Sequence, residues 1–207
     1  IKSIDAVREV VSDVRFVQTD PAIHVTTGRT DAAAKAKAEK FRLSQFQAFD
    51  MLCGKLNPEL GGAPKYLDII GLNYYFHNQW YFPNRRKIKR GHQLYRPLHQ
   101  ILEEYYQRYD RPILIAETGI EDDERADWFR FVCEESRIAR EKGVPLEGVC
   151  LYPIANHPGW EDDRHCCNGL WDYADEKGGR EAHQPLAEEI KKQIILCKEK
   201  SWNAACS

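Results

Sequence analysis

The amino-acid sequence predicts an α/β protein of a single domain, residues 1–207, in which about four β/α units build a buried parallel sheet. Three observations predict it. Short apolar runs alternate with longer segments of helical period. The runs Ile69-Ile70-Gly71-Leu72 and Ile113-Leu114-Ile115-Ala116 are apolar at successive positions, as strands covered on both faces are. A length of 207 residues supports one substantial core and is short for two ordinary domains. Right-handed crossovers leave two architectures, the open doubly wound sheet and the closed barrel, and pattern alone does not choose between them. The usual barrel closes with eight such units.

The elements follow in order. Val14–Asp20 reads as the first strand, with a continuation past Pro21 to Val25 allowed. Thr30 is the expected N-cap of a helix from about Asp31 to Leu52 or Cys53; Leu43, Phe46, Phe49 and Leu52 recur on it, and Gly54 stops it. Asn57-Pro58 and Gly61-Gly62-Ala63-Pro64 mark a loop. Tyr66–Tyr75 reads as the second strand, and an irregular stretch runs on to about Tyr95. Pro97 opens a helix that ends near Tyr109, and Pro112–Glu117 is the third strand. A helix over 123–142 follows, its inner face assigned to Trp128, Phe131, Val132 and Ala139, with Gly143 as its C-terminal stop. Gly148–Ile154 is the fourth strand. A last helix over 185–198 carries Leu186, Ile190, Ile194 and Cys197 at helical spacing.

Charges of both signs are scattered, with a net charge of -2, so no basic stripe suggests nucleic acid as a partner. The one basic cluster, Arg85, Arg86, Lys87, Lys89 and Arg90, reads as a solvated loop. No apolar run approaches the ~20 residues of a membrane span, so no membrane partner is expected. No charged-then-apolar leader is readable. The cysteines at 53, 133, 150, 166, 167, 197 and 206 are odd in number and lack paired Cys-x-x-Cys spacing. Reduced thiols, a cytoplasmic location, and no metal or cofactor are therefore expected, with Cys166-Cys167 read as chemically inert. The sequence starts at Ile1 and its only methionine is Met51, which leads us to expect further residues upstream.

Chemistry is expected where strands end, because in a barrel the loops there enclose the mouth. The first strand ends in Asp20 and His24, the second in Asn73, Tyr74 and Tyr75, and the third in Glu117. The fourth leads into Asn156, Trp160 and Glu161. Glu117 is the most informative, since a carboxylate after Ile-Leu-Ile-Ala is costly at the end of a buried strand unless it is paired or used. Alternation puts Gly71, Asn73 and Tyr75 on one strand face. A phenol on that face, donating to a carboxylate, favours the ionised form that a nucleophile needs. Tyr74 reads as ordinary packing, His77 and His157 as rim or loop residues, and His24 as the best histidine candidate. A dinucleotide Gly-x-Gly-x-x-Gly, a Walker loop and a Gly-x-Ser-x-Gly elbow are all missing, which argues against those enzyme classes.

Three motifs in order carry a family resemblance. Tyr66-Leu67-Asp68-Ile69-Ile70-Gly71-Leu72-Asn73-Tyr74-Tyr75 resembles the sixth-strand motif of glycoside hydrolase family 1, the β-glucosidase and β-galactosidase family. Arg111-Pro112-Ile113-Leu114-Ile115-Ala116-Glu117-Thr118-Gly119 is similar to its nucleophile-bearing seventh strand, and Tyr152–Tyr173, with Trp160, Glu161 and Gly169-Leu170-Trp171-Asp172, to its eighth. The resemblance covers about residues 66–173. It implies a (β/α)8 TIM-barrel, represented here by its C-terminal half, and a retaining β-glycosidase in which Glu117 is the nucleophile and Tyr75 orients it. It further implies a carbohydrate substrate held by Trp160 and Glu161; Asn73 and His24, at strand ends, and Tyr152, at the eighth strand, are further binding candidates.

There are departures. Thr118 stands where the family has Asn, Tyr152 where it has Trp, and Trp160 precedes Glu161 where the family's Glu precedes its Trp. The acid/base residue, which follows an Asn at the end of the fourth strand in this clan, has no counterpart here. The N-terminal half of the barrel is accordingly expected as a partner, with self-association of an exposed sheet edge as the other outcome. The chain alone is expected to be inactive. A non-catalytic carbohydrate-binding or scaffold domain of barrel origin is the alternative reading.

Overall fold

The computed structural model describes residues 1–204, with side chains through Lys198. Helix α1 (Lys2–Val10) precedes strand β1 (Val17–Pro21); then come β2 (His24–Thr26), α2 (Ala32–Leu43) and α3 (Gln47–Leu52). Strands β3 (Ile69–Asn73), β4 (Gln79–Tyr81) and β5 (Arg86–Lys87) lead to α4 (Leu98–Tyr109), β6 (Ile113–Thr118), α5 (Arg125–Glu141), β7 (Leu146–Leu151) and α6 (Gln184–Ala204).

The main sheet runs β1-β3-β6-β7, every neighbour parallel and each pair joined through at least one helix. This is a partial barrel of four β/α units with the strands in chain order. One face is dry. Ile70, Leu72 and Tyr74 of the β3 segment, and Ile113 and Ile115 of β6, join Leu98, Ile101, Leu102 and Tyr105 of α4 and Trp128 and Val132 of α5 in one buried cluster. The α4 residues recur at three- and four-residue spacing, which aligns them in a stripe toward the sheet. Each fully buried side chain of this kind contributes roughly 1.5–3 kcal/mol of transfer free energy. The other face is more open, although Ile69 on it is buried. Val17 is 41% exposed, and Thr19 and Cys150 are also open to solvent. Val17 and Thr19 lie across Gly71, whose missing Cβ would sit 2.6 Å from Thr19 Cγ2 and 2.8 Å from Val17 Cγ1.

Several boundaries differ from the sequence reading. The first strand ends at Pro21, and His24–Thr26 belongs instead to a second sheet, β2-β4-β5. After Pro21 the chain turns, with the Ala22 N–H bound to the Asn73 carbonyl and the Ile23 N–H to Gln45 Oε1. The helix cap is Asp31, not Thr30, since Asp31 Oδ1 accepts from the Ala34 N–H at 2.8 Å. The long helix breaks at a tight turn over Ser44–Phe46, so Phe46 and Phe49 are buried while Leu43 points outward. The stretch read as irregular contains β4 and β5, too short to carry a period. Strand β7 starts two residues earlier than expected and ends at Leu151. On α6 the buried positions are Leu186, Glu189 and Gln193; Ile194 and Cys197 are exposed. Cys206 lies outside the described residues. No helix among the described residues is long and apolar enough to cross a membrane.

Candidate active site

The ends of β3, β6 and β7 converge on a hollow of about 440 Å³. Glu117, Tyr75, Tyr152 and Trp160 all line it. Tyr75 reaches it by strand alternation, on the face opposite the buried Leu72 and Tyr74. Glu117 needs a further device. Strict alternation would send it to the dry side with Ile113 and Ile115, but the registers of β6 with both neighbours slip after Ile115. Such an irregularity re-aims side chains. The next residue, Thr118, faces the helices and is wholly buried. Its hydroxyl donates to the Tyr74 carbonyl at 2.7 Å and accepts from the Trp128 indole N–H at 2.9 Å. Thr118 thus locks the strand end from behind while Glu117 faces the mouth.

The Tyr75 hydroxyl donates to Glu117 Oε2 at 2.9 Å. Burial first, then the bond to Glu117 and its charge, push the Tyr75 phenol far above its usual range, so it remains a donor. The His77 ring stacks with the Tyr75 ring, 5.6 Å away and 4° from parallel, which restrains the phenol's direction. Gly119 permits the close approach of the next strand, because a Cβ there would lie 2.2 Å from the Tyr152 carbonyl oxygen.

The loop after β7 forms the far wall. Asn156 staples it, accepting from the Gly169 N–H at 2.6 Å and donating to Asp172 at 2.8 Å. Arg164 ties the loop to the end of β6 through two bonds to Glu121, at 2.6 and 3.0 Å. Glu121 is the other carboxylate lining the hollow, and Arg164 draws it below the usual carboxylate range. An anion so held is a poor proton donor.

The other candidates fall differently. Asn73 stands beside Glu117 in the β3–β6 register, its Oδ1 buried without a partner. Glu161 is exposed and does not line the hollow. His24 lies in the second sheet, where burial, then Arg96 and Arg42, lower its pKa. Trp160 is at the rim, 85% exposed, with its ring edge on to His157 at 5.8 Å. His77 and His157, read as rim or loop residues, line the hollow too, as do Arg164 and Asn168, which the sequence reading did not single out. Asn168 donates weakly to His157 Nε2 at 3.4 Å and keeps a buried, unpartnered Oδ1. Its place immediately before Gly169-Leu170-Trp171, within the eighth-strand motif, was the available signal. No cluster of three or more His, Cys, Asp or Glu among the described residues has the arrangement of a metal site.

No family model matches the sequence, and no curated protein matches it. Solved structures do. A β-glucosidase from Thermotoga maritima in complex with glucoimidazole superposes with a TM-score of 0.69 at 16% identity, over 93% of this chain and 54% of its own. The fold is that of half a glycosidase barrel. A β-glycosidase from the hyperthermophile Thermosphaera aggregans gives a TM-score of 0.70 at 16% identity, over 93% of this chain and 46% of its own. The chain thus spans about half the length of the solved structures it matches. At such identity the fold is what is shared.

Proposed function

We propose that the chain, a single domain, carries the nucleophile half of a retaining β-glycosidase acting on a glucoside or galactoside. The observation that carries this reading is the Tyr75–Glu117 hydrogen bond at a strand end, inside a hollow walled by Tyr152 and Trp160. Glu117 attacks the anomeric carbon as the bond to the leaving oxygen breaks, which gives a glycosyl ester on the Glu117 carboxylate. A carboxylic acid on the opposite wall protonates the leaving oxygen and then takes a proton from the water that cleaves the ester. That chemistry needs two carboxyl groups ~5–5.5 Å apart. Glu121, paired with Arg164, is unsuited to the second role, so the acid/base comes from the N-terminal half of the barrel, covering the open face. Trp160 offers an apolar face to the sugar ring, and Asn73 and Tyr152 meet its hydroxyls. Glu161 and His24 reach the sugar only if their segments move toward the hollow. Cys53, Cys133, Cys150, Cys166 and Cys167 are free thiols, which supports a reducing, cytoplasmic setting.

Leaving-group dependence tests this. A dinitrophenyl β-glucoside needs no acid to depart, so the chain should release about one equivalent of dinitrophenolate and then stall. A methylphenyl β-glucoside, which needs the acid, should not react measurably. Release of neither phenolate, with the glucoside still bound, would instead support the non-catalytic carbohydrate-binding reading.

A further inference from the structure

Two hollows adjoin the catalytic one. A hollow of about 590 Å³ adjoins it through His77, and another of about 740 Å³ adjoins it through Phe76, Ile120 and Glu121. Lys87 lines both of the flanking hollows. It belongs to the basic run Arg85, Arg86, Lys87, Lys89 and Arg90, which the β4–β5 hairpin carries out beyond the C-terminal end of β3. None of these five cations forms an ion pair among the described residues, whereas Arg15, Arg130 and Lys142 elsewhere on the surface each find a carboxylate. Three of the five lie on aromatic rings instead. Lys87 Nζ is 4.3 Å from the Phe76 ring centre, Arg86 is 4.7 Å from Tyr81, and Arg90 is 4.5 Å from Phe131. Ring faces position a cation without neutralising it. Trp80, paired with Lys87 across the hairpin, lines the same 590 Å³ hollow together with Phe41, its ring edge toward Trp80 at 6.3 Å.

We propose that this hollow takes the leaving group of the substrate, and that the leaving group is flat and carries an anionic oxygen group paired with Lys87. The inference rests on the glycosidase reading of Glu117 and adds the class of aglycone. Trp80 and Phe41 supply the apolar walls, and Lys87 and Arg85 supply uncompensated charge at their edge. Asp20 is the one carboxylate lining this hollow, and burial raises its pKa. His77 is shared between this hollow and the catalytic one, so the bond to be cleaved would lie beside it.

Equilibrium titration of the chain with phenyl β-glucoside and with 4-carboxyphenyl β-glucoside tests the proposal. The carboxylate should tighten binding about tenfold at low salt, and the gain should disappear in Lys87→Gln and at high salt. A phosphate in place of the carboxylate separates the two anions: equal or greater gain marks a site for either, and a gain with only one identifies it. Equal binding of the neutral and charged glucosides, or a gain that survives Lys87→Gln, overturns the proposal while leaving the Glu117 reading intact. A Lys87-dependent gain for phenyl 6-phospho-β-glucoside also overturns it, because that anion is on the sugar. If neither glucoside binds, the glycosidase reading fails and this inference fails with it.

Discussion

On one side of the parallel sheet Ile70, Leu72, Ile113 and Ile115 are wholly or almost wholly buried under α4 and α5; on the other, Val17, Thr19 and Cys150 meet solvent. The two faces are made by the same strands, so the difference lies in what covers them. The helical layer is complete, and it gives the chain a core of its own. The open side is the interior of a barrel that has only half its staves, with β1 and β7 each hydrogen-bonded along one edge. Glu117 stands at the rim of that open side. On the proposed reading stability and chemistry are divided between the faces, and substitutions should separate them.

The largest effect is expected at the rim. On the proposed reading, Glu117→Gln should slow the release of dinitrophenolate on the order of 10⁴-fold, with an unchanged urea midpoint, because the site would lose its nucleophile and little packing. An undiminished burst would detach the chemistry from this face. Next come the paired substitutions that probe the comparison itself. Ile115→Ala on the dry face should lower unfolding stability by about 2–5 kcal/mol, and Val17→Ala on the open face by no more than ~0.5 kcal/mol. Similar costs in urea unfolding would mean that both faces are equally covered in solution.

Thr118→Val should cost about 1–3 kcal/mol, since the Trp128 indole N–H and the Tyr74 carbonyl would lose their partner in a dry layer. A neutral result would remove the lock behind Glu117. The smallest effect concerns the far wall. Arg164 lowers the pKa of Glu121 in the folded state, so the tie is fully present above the ordinary carboxylate range and is lost as pH falls through the lowered value. Amide protection in the loop after β7, measured relative to the intrinsic exchange rate at each pH, should therefore fall at acid pH in the wild type and already be low in Arg164→Gln; protection unaffected by either change would show that the tie does not hold the wall.

The repeating β/α order and the dry face were legible in the sequence, because Ile69–Leu72 and Ile113–Ala116 and the helices between them carry strong periodic signals. Short or irregular pieces were not. The three residues of β4 and the two of β5 have no period to read, and the turn at Ser44–Phe46 rotates the following helix away from the stripe that Leu43 seemed to begin. At the site, Tyr75 and Glu117 were legible as residues at strand ends, and their bond follows from alternation plus a register slip that sequence does not encode locally. Asn168 and Arg164 were missed because a loop with no regular structure brings them to the hollow. The basic run at 85–90 was visible as charge, but the rings beneath it and the hollows beside it appear only once β4 and β5 pair.

Peptide mapping after incubation with a dinitrophenyl 2-deoxy-2-fluoro-β-glucoside tests the central claim most directly. The fluorine slows breakdown of the glycosyl ester, so the attacking residue keeps its label. One fluoroglucosyl group per chain is expected on the Glu117 carboxylate, and none in Glu117→Gln. A label on any other side chain, or no label while the glucoside still binds, would contradict that claim.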